Sequence, residues 1–306
     1  MTQVTRKVRI AALTLAAGLA LSACGSDDAG STIVVGSKDF TENILLGQML
    51  VIALEEAGIP VDDRTILGGT VVNRDALLAG EINVYPEYNG TGWTVHLEQE
   101  DPSFDRNVLY NAVAEKDLAD NSIRWVGHSP FNNTYGFASS PAATAANGGK
   151  LFTFQTMAQY MQDNPDAVAC MESEFPDRPD GLVLWEDHVG WEMPEDQQVI
   201  LETGVVYTET GNDNCDFGEV FTTDGRIDGL NLGLVQDPGI MILYNLSYTF
   251  RDEVLADADP QVQEIAETIV NSLDNQTMVG LNFEVDINGR EYADVAREYL
   301  ESIGLA

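Results

Sequence analysis

From residue 32 onward, short β-branched runs alternate with longer segments of helical periodicity. "TIVVGS" (32–37) predicts a strand stopped by Gly36. "TENILLGQMLVIALEEAG" (41–58) predicts a helix that Thr41 would cap and that Gly58 and Pro60 would end. The order then repeats: "VDDRTIL" (61–67) as a strand, "GGT" as a turn, "VVNRDALLAG" (71–80) as a helix and "INVY" (82–85) as a buried strand. Beyond "INVY", Pro86 should stop strand pairing, and Tyr88 to Gly92 should turn into the next helix. "IRWVGH" and "TYGFAS" predict strands between residues 123 and 139, and "TFQTMAQYMQDNP" a helix closed by Pro165. Strands are expected near "EVFTTDGRI" (219–227) and "LGLVQD" (232–237). Two amphipathic helices follow, "PQVQEIAETIVNSL" and "GREYADVAREYLESIGL". Alternation of this kind argues for an α/β fold with largely parallel strands, and 306 residues are more than one domain usually holds.

The first thirty residues follow a different pattern. Arg6, Lys7 and Arg9 precede an apolar run from Ile10 to Ala20 that ends in "LSAC" at Cys24. The run is too short to span a bilayer comfortably, and the small residues before a cysteine match a bacterial lipoprotein signal peptide. Residues 1–23 would be removed, Cys24 would carry the lipid, and 24–31 ("CGSDDAGS") would tether the fold to the outer face of a membrane. An ordinary secretory signal is the alternative.

Charge narrows the partners. With 15 Lys and Arg against 50 Asp and Glu, the formal net charge is −35, which argues against a nucleic-acid partner. Such a surface could steer cations or be a solvated coat suited to salty surroundings, and composition does not separate the two. Besides Cys24, only Cys170 and Cys215 are present. In an exported chain the pair predicts a disulfide worth roughly 3–4 kcal/mol, with two buried thiols as the other reading. His96, His128 and His188 are scattered without metal-ligand spacing, so no metal and no cofactor are expected.

No G-x-S-x-G elbow, P-loop, H-E-x-x-H or G-x-G-x-x-G is present, so no enzyme is expected from motifs. A hydrolase whose triad assembles only in space is the remote alternative. "INVYPEYNGTGW" (82–93) concentrates aromatic surface where a strand leaves its sheet, and ligands of open α/β sheets gather at such carboxyl ends. That places Tyr88 and the Thr91 hydroxyl at a candidate site.

"VGSKDFTENILLGQML", "LGGT", "EINVYPEYNGTG", "FNNTYGFA" and "FTTDGRI" occur in this order along nearly the whole chain after the leader. Together they resemble the substrate-binding proteins of osmoprotectant ABC importers, which take up glycine betaine, choline, carnitine and related solutes. The resemblance implies a two-lobed periplasmic-binding-protein fold of type II, with 32–132 plus 240–306 in lobe I, 133–239 in lobe II and the ligand in the cleft. Cys170 and Cys215 would then share a lobe.

A trimethylammonium group is a full cation with no N–H to donate, so an aromatic cage suits it, at about 0.5–2 kcal/mol per cation–π contact. By the resemblance the cage falls on Tyr88, Tyr135, Phe221 and Tyr244. The chain departs from the family where Phe221 replaces a common tyrosine and where "ILYN" (242–245) replaces a proline-containing segment. Lys38, Arg178 and Thr91 would hold a ligand carboxylate, favouring a zwitterion over choline. Asn133 would fix the Tyr135 loop or face the methyl groups, while Asp224 and Arg226 serve the fold. Trp93, Trp125, Trp185 and Trp191 are assigned to packing. The implied partners are the small-molecule ligand, an ABC permease with its ATPase, and the membrane through the lipid anchor; the protein is expected to be an extracytoplasmic monomer. A sensory module of the same fold, or a binder of another amine or amino acid, stays open.

Overall fold

The computed structural model describes residues 32–306. The leader and the expected lipid site at Cys24 lie outside the described residues. In chain order the strands are β1 (Ile33–Gly36), β2 (Val61–Arg64), β3 (Val84–Tyr88), β4 (Ile123–Val126), β5 (Tyr135–Ser139), β6 (Ala169–Met171), β7 (Gln198–Ile200), β8 (Phe217–Phe221), β9 (Gly233–Leu234) and β10 (Leu246–Arg251). They form two five-stranded sheets, ordered β2-β1-β3-β10-β4 and β7-β6-β8-β5-β9, one in each lobe of a two-lobed α/β fold.

The expectation of largely parallel strands needs correction. β1 pairs in parallel with β2 and β3, and β6 with β7 and β8. β10, however, runs antiparallel to both β3 and β4, and β5 antiparallel to β8 and β9. Each sheet is therefore mixed. The chain enters the second sheet through β5 and returns to the first through β10, and these are the two antiparallel strands.

Pro86 does not stop pairing: it lies inside β3, opposite Tyr248 of β10. Its carbonyl accepts the Asn43 side-chain amide at 3.0 Å, on the side away from β10. A strand residue's N and O point the same way, so the N–H that proline lacks is not one β10 needs. Nor does Thr41 cap its helix. The helix Thr41–Glu56 has Phe40 at its N-cap with no side-chain cap, and Thr41 Oγ1 instead donates to Asp286 at 2.6 Å.

Helix Thr41–Glu56 is buried along most of its length, packed on the first sheet and against helices Pro260–Ser272 and Tyr292–Ile303. Around this helix the two amphipathic C-terminal segments bury Val262, Ile265, Ala266, Ile269, Val295 and Leu300. The "EVFTTDGRI" strand ends at Phe221, and the remainder turns into a short helix, Arg226–Gly229. Cys170 and Cys215 are joined by a disulfide with Cα atoms 5.9 Å apart, within the second lobe. Among the described residues, no helix is long and apolar enough to cross a membrane.

Candidate functional site

One cavity lies between the lobes, with roughly 510 Å³ of unfilled space including the part open to solvent. Strand ends supply it. Lys38 and Phe40 follow β1, Tyr88 ends β3, Glu172, Glu174 and Arg178 follow β6, and Phe221 ends β8, all at carboxyl ends. Tyr135 begins β5 and Tyr244 precedes β10, so the two antiparallel strands contribute from the same side. Lys38, Tyr88, Thr91, Asn133, Tyr135, Arg178, Phe221 and Tyr244, the residues singled out from sequence, all line this cavity.

Five rings close a circuit around it. Centroid separations are 6.3 Å for Phe40–Tyr88, 6.4 Å for Tyr88–Tyr244, 5.4 Å for Tyr244–Tyr135, 5.2 Å for Tyr135–Phe221 and 5.0 Å for Phe221–Phe40. Phe40, Tyr88 and Tyr244 come from the first lobe, Tyr135 and Phe221 from the second. Phe40 was not anticipated as a site residue, although it stands inside "GSKDFTE"; in sequence it reads as one apolar residue before a helix. The four tryptophans named above do not line the cavity.

The basic residues are not free. Lys38 is only 4% exposed, and its ammonium donates to Glu87 Oε1 at 2.7 Å and Thr70 Oγ1 at 3.2 Å. Glu87 also has His96 Nε2 at 2.8 Å and accepts the Tyr85 hydroxyl at 3.0 Å. Burial pushes the Glu87 pKa up, but Lys38 and His96 overcome it and hold the carboxyl well below its ordinary range. Burial also pushes His96 down, against the pull of Glu87.

Arg178 shows the same arrangement. Its Nε and one terminal nitrogen each donate to Asp180 at 2.8 Å, with longer contacts to Glu174 and Thr91 at 3.4 Å. The guanidinium also lies 5.2 Å from the Tyr135 ring centroid. Asp180 is fully buried; it accepts Thr94 Oγ1 at 2.7 Å and the Tyr244 hydroxyl, both from the first lobe. Burial raises the Asp180 pKa, and Arg178 with these hydroxyls brings it below the usual value. Each cation is thus neutralised by its own carboxylate, and what it offers the cavity is N–H donors, not net positive charge.

Asn133 is tied into the fold, its Nδ2 donating to Glu42 at 2.8 Å and its Oδ1 accepting the Thr223 amide at 3.3 Å. Asp224 and Arg226 pair with each other, and Arg226 stacks 4.2 Å from the Tyr207 ring centroid. Tyr207 in turn accepts the Phe221 amide on its hydroxyl at 2.8 Å, which fixes the strand end that carries the Phe221 ring.

With this geometry in view, comparisons with known proteins become informative. The glycine betaine-binding protein YehZ of Escherichia coli strain K12 is 30% identical over 285 residues, covering 90% of this chain and 92% of that protein. The carnitine transport binding protein OpuCC of Listeria monocytogenes is 24% identical over 298 residues, covering 94% of both. A crystal structure of a glycine betaine/carnitine/choline ABC transporter protein superposes with a TM-score of 0.70 at 23% identity, over 89% of this chain and 99% of that one, and so shares the fold. Residues 31–302 match the substrate-binding domain of ABC-type glycine betaine transport systems, and the chain belongs to that family of transport binding proteins, not enzymes.

Proposed function

We propose that this protein is an extracytoplasmic, lipid-anchored capture component that takes a quaternary-ammonium solute into the five-ring cavity and delivers it to a membrane permease driven by an ATPase. Lobe I is taken as 32–132 plus 240–306 and lobe II as 133–239, with Cys24 as the anchor. The observation that carries the ligand class is the aromatic circuit. Five ring faces or edges around one space are poor company for a polar ligand and good company for a desolvated trimethylammonium group.

Glycine betaine, proline betaine, carnitine and choline all carry such a head. The zwitterion preference expected from Lys38 and Arg178 weakens, because both are ion-paired. Their remaining N–H groups and the Thr91 hydroxyl can still hold a carboxylate by hydrogen bonds, so betaine should lead choline by a small margin.

A thermal-shift screen of methylated amines, followed by calorimetry with glycine betaine, carnitine and choline, tests the reading. A ligand at a hundred times its Kd should stabilise by about 2.7 kcal/mol. Absence of stabilisation by any quaternary ammonium compound would overturn it.

A further inference from the structure

Glu42 is 3% exposed, yet among the described residues no Lys, Arg or His forms an ion pair with it. Its carboxylate is held by four neutral donors. Oε1 accepts the Tyr88 hydroxyl at 2.7 Å and Asn133 Nδ2 at 2.8 Å; Oε2 accepts Thr223 Oγ1 at 2.6 Å and Asn282 Nδ2 at 3.0 Å. Four donors can fill the acceptor directions of an ionised carboxylate, whereas a protonated carboxyl would have to turn the Tyr88 or Thr223 hydroxyl into an acceptor. A buried charge without a countercharge is ordinarily avoided, and the surrounding donors only partly replace water.

Two of the four donors, Tyr88 and Asn133, line the cavity. The negative charge therefore sits one hydrogen bond behind a cage ring. A phenol that donates to a carboxylate holds more electron density on its ring, which strengthens attraction for a cation over its face. Lys38 and Arg178 already have carboxylate partners; Glu172 and Glu219 also lack an ion pair, but Glu42 is the one of these three that is hydrogen-bonded to a ring of the aromatic circuit.

We propose that Glu42 is the counter-charge of the binding site: a specificity-determining carboxylate, relayed through Tyr88, that selects a ligand with a positively charged head. The inference rests on the quaternary-ammonium reading above and adds the group that enforces the charge. Glu42 also spans the lobes, because Thr223 belongs to the second and Tyr88 to the first, so the ligand that neutralises it also favours the closed arrangement.

The test compares wild type, Glu42→Gln and Thr223→Val by calorimetric titration with choline and with glycine betaine, which share the trimethylammonium head. Thr223→Val removes a neutral donor and leaves the charge in place. Both ligands should bind at least twentyfold more weakly to E42Q and only about fivefold more weakly to T223V, which keeps the charge but loses one hydrogen bond between the lobes. Equal losses in the two variants, or wild-type affinity in E42Q, would overturn the proposal. If wild type binds neither ligand, it is the parent reading that fails.

Should E42Q not fold, the pH profile of wild type and T223V decides. Burial raises the Glu42 pKa and its four hydrogen bonds oppose that, so affinity should fall as pH is lowered through the range where Glu42 takes a proton. Losing the Thr223 bond should move that fall to higher pH. Other ionisable groups on the packed elements are Lys38, Asp39, Glu87, Tyr88, Asp224, Arg226 and Asp286. A profile that stays flat down to the pH at which the protein unfolds would overturn the proposal, and so would a fall that T223V does not shift, which would assign the dependence to one of these other groups.

Discussion

Glu174 of the second lobe accepts the backbone N–H of Thr70 in the first, at 3.1 Å. Thr70 opens the helix Thr70–Ala79, whose N-cap is Gly69 and whose own sequence supplies no side-chain cap. The other lobe provides the cap, so the bond exists only while the cleft is closed. A Cβ on residue 69 would stand 2.4 Å from Glu174 Oε1. Gly69→Ala should push the carboxylate off and remove about 1 kcal/mol from the closed state, weakening ligand binding about fivefold. Glu174→Ala should match it, and calorimetry with glycine betaine is the check; undiminished affinity in both would show that the cap does not bias closure.

Asp180 is the second place where the lobes meet. It neutralises Arg178 within its own lobe and receives Thr94 and Tyr244 from across the cleft. Asp180→Ala leaves a buried guanidinium unpaired and should destabilise by about 3–5 kcal/mol, with ligand binding lost. Urea unfolding reads the first effect. Stability within 1 kcal/mol of wild type would mean that Arg178 finds water or Glu174 instead.

Asp286 gives a pH effect of definite sign. Burial raises its pKa to about 6, against the pull of Arg226 at 3.6 Å. Between its unfolded pKa and that value, the folded state binds the proton more tightly. Asp286 therefore favours folding at pH 5 relative to pH 7, by roughly 1 kcal/mol. Glu87, held low, acts in the opposite sense and at lower pH, losing stabilisation as pH falls below the ordinary carboxylate range. The change in unfolding free energy between pH 7 and 5 should be more favourable in wild type than in Asp286→Asn. Parallel curves would contradict this.

The Cys170–Cys215 bond closes a loop within one lobe and does not border the cavity. Reducing it, or replacing both cysteines by serine, should lower stability by roughly 3–4 kcal/mol and leave ligand affinity within twofold. Denaturant titrations with and without reductant test the first part. A large loss of affinity would show that the second lobe cannot hold Tyr135 and Phe221 without the brace.

Much of the cavity's lining could be read from the sequence because strand ends announce themselves. Tyr88 and Phe221 each close an apolar run, and Lys38 follows a strand stopped by glycine. What stayed hidden was the partner of each charge. Glu87 is next to Tyr88 in sequence, but nothing in spacing says that its carboxyl turns to Lys38, and Glu42 reads as an ordinary first-turn acid of a helix. The three-residue strands β6 and β7 left no run long enough to read. β10, "LSYTFR", carries both polar and apolar residues, and all but its last are buried because it lies between two strands. Helix Arg106–Asn121 escaped notice for the converse reason, since only Leu109, Val113 and Asp117 of it are buried and the apolar stripe is thin.

The position of β10 sets the order in which the chain can become native. Four strands of the first sheet have been synthesised by Val126, yet the fifth, which bridges β3 and β4, arrives only at Leu246. Until then those two strands present bare edges, while everything needed for the second sheet lies in one uninterrupted stretch. A chain cut before Leu246 should show slow amide exchange in β5 to β9 and fast exchange in β3 and β4. The lobe that begins the protein is thus the last to be finished, and a newly made chain must be shielded along those edges until its final sixty or so residues emerge.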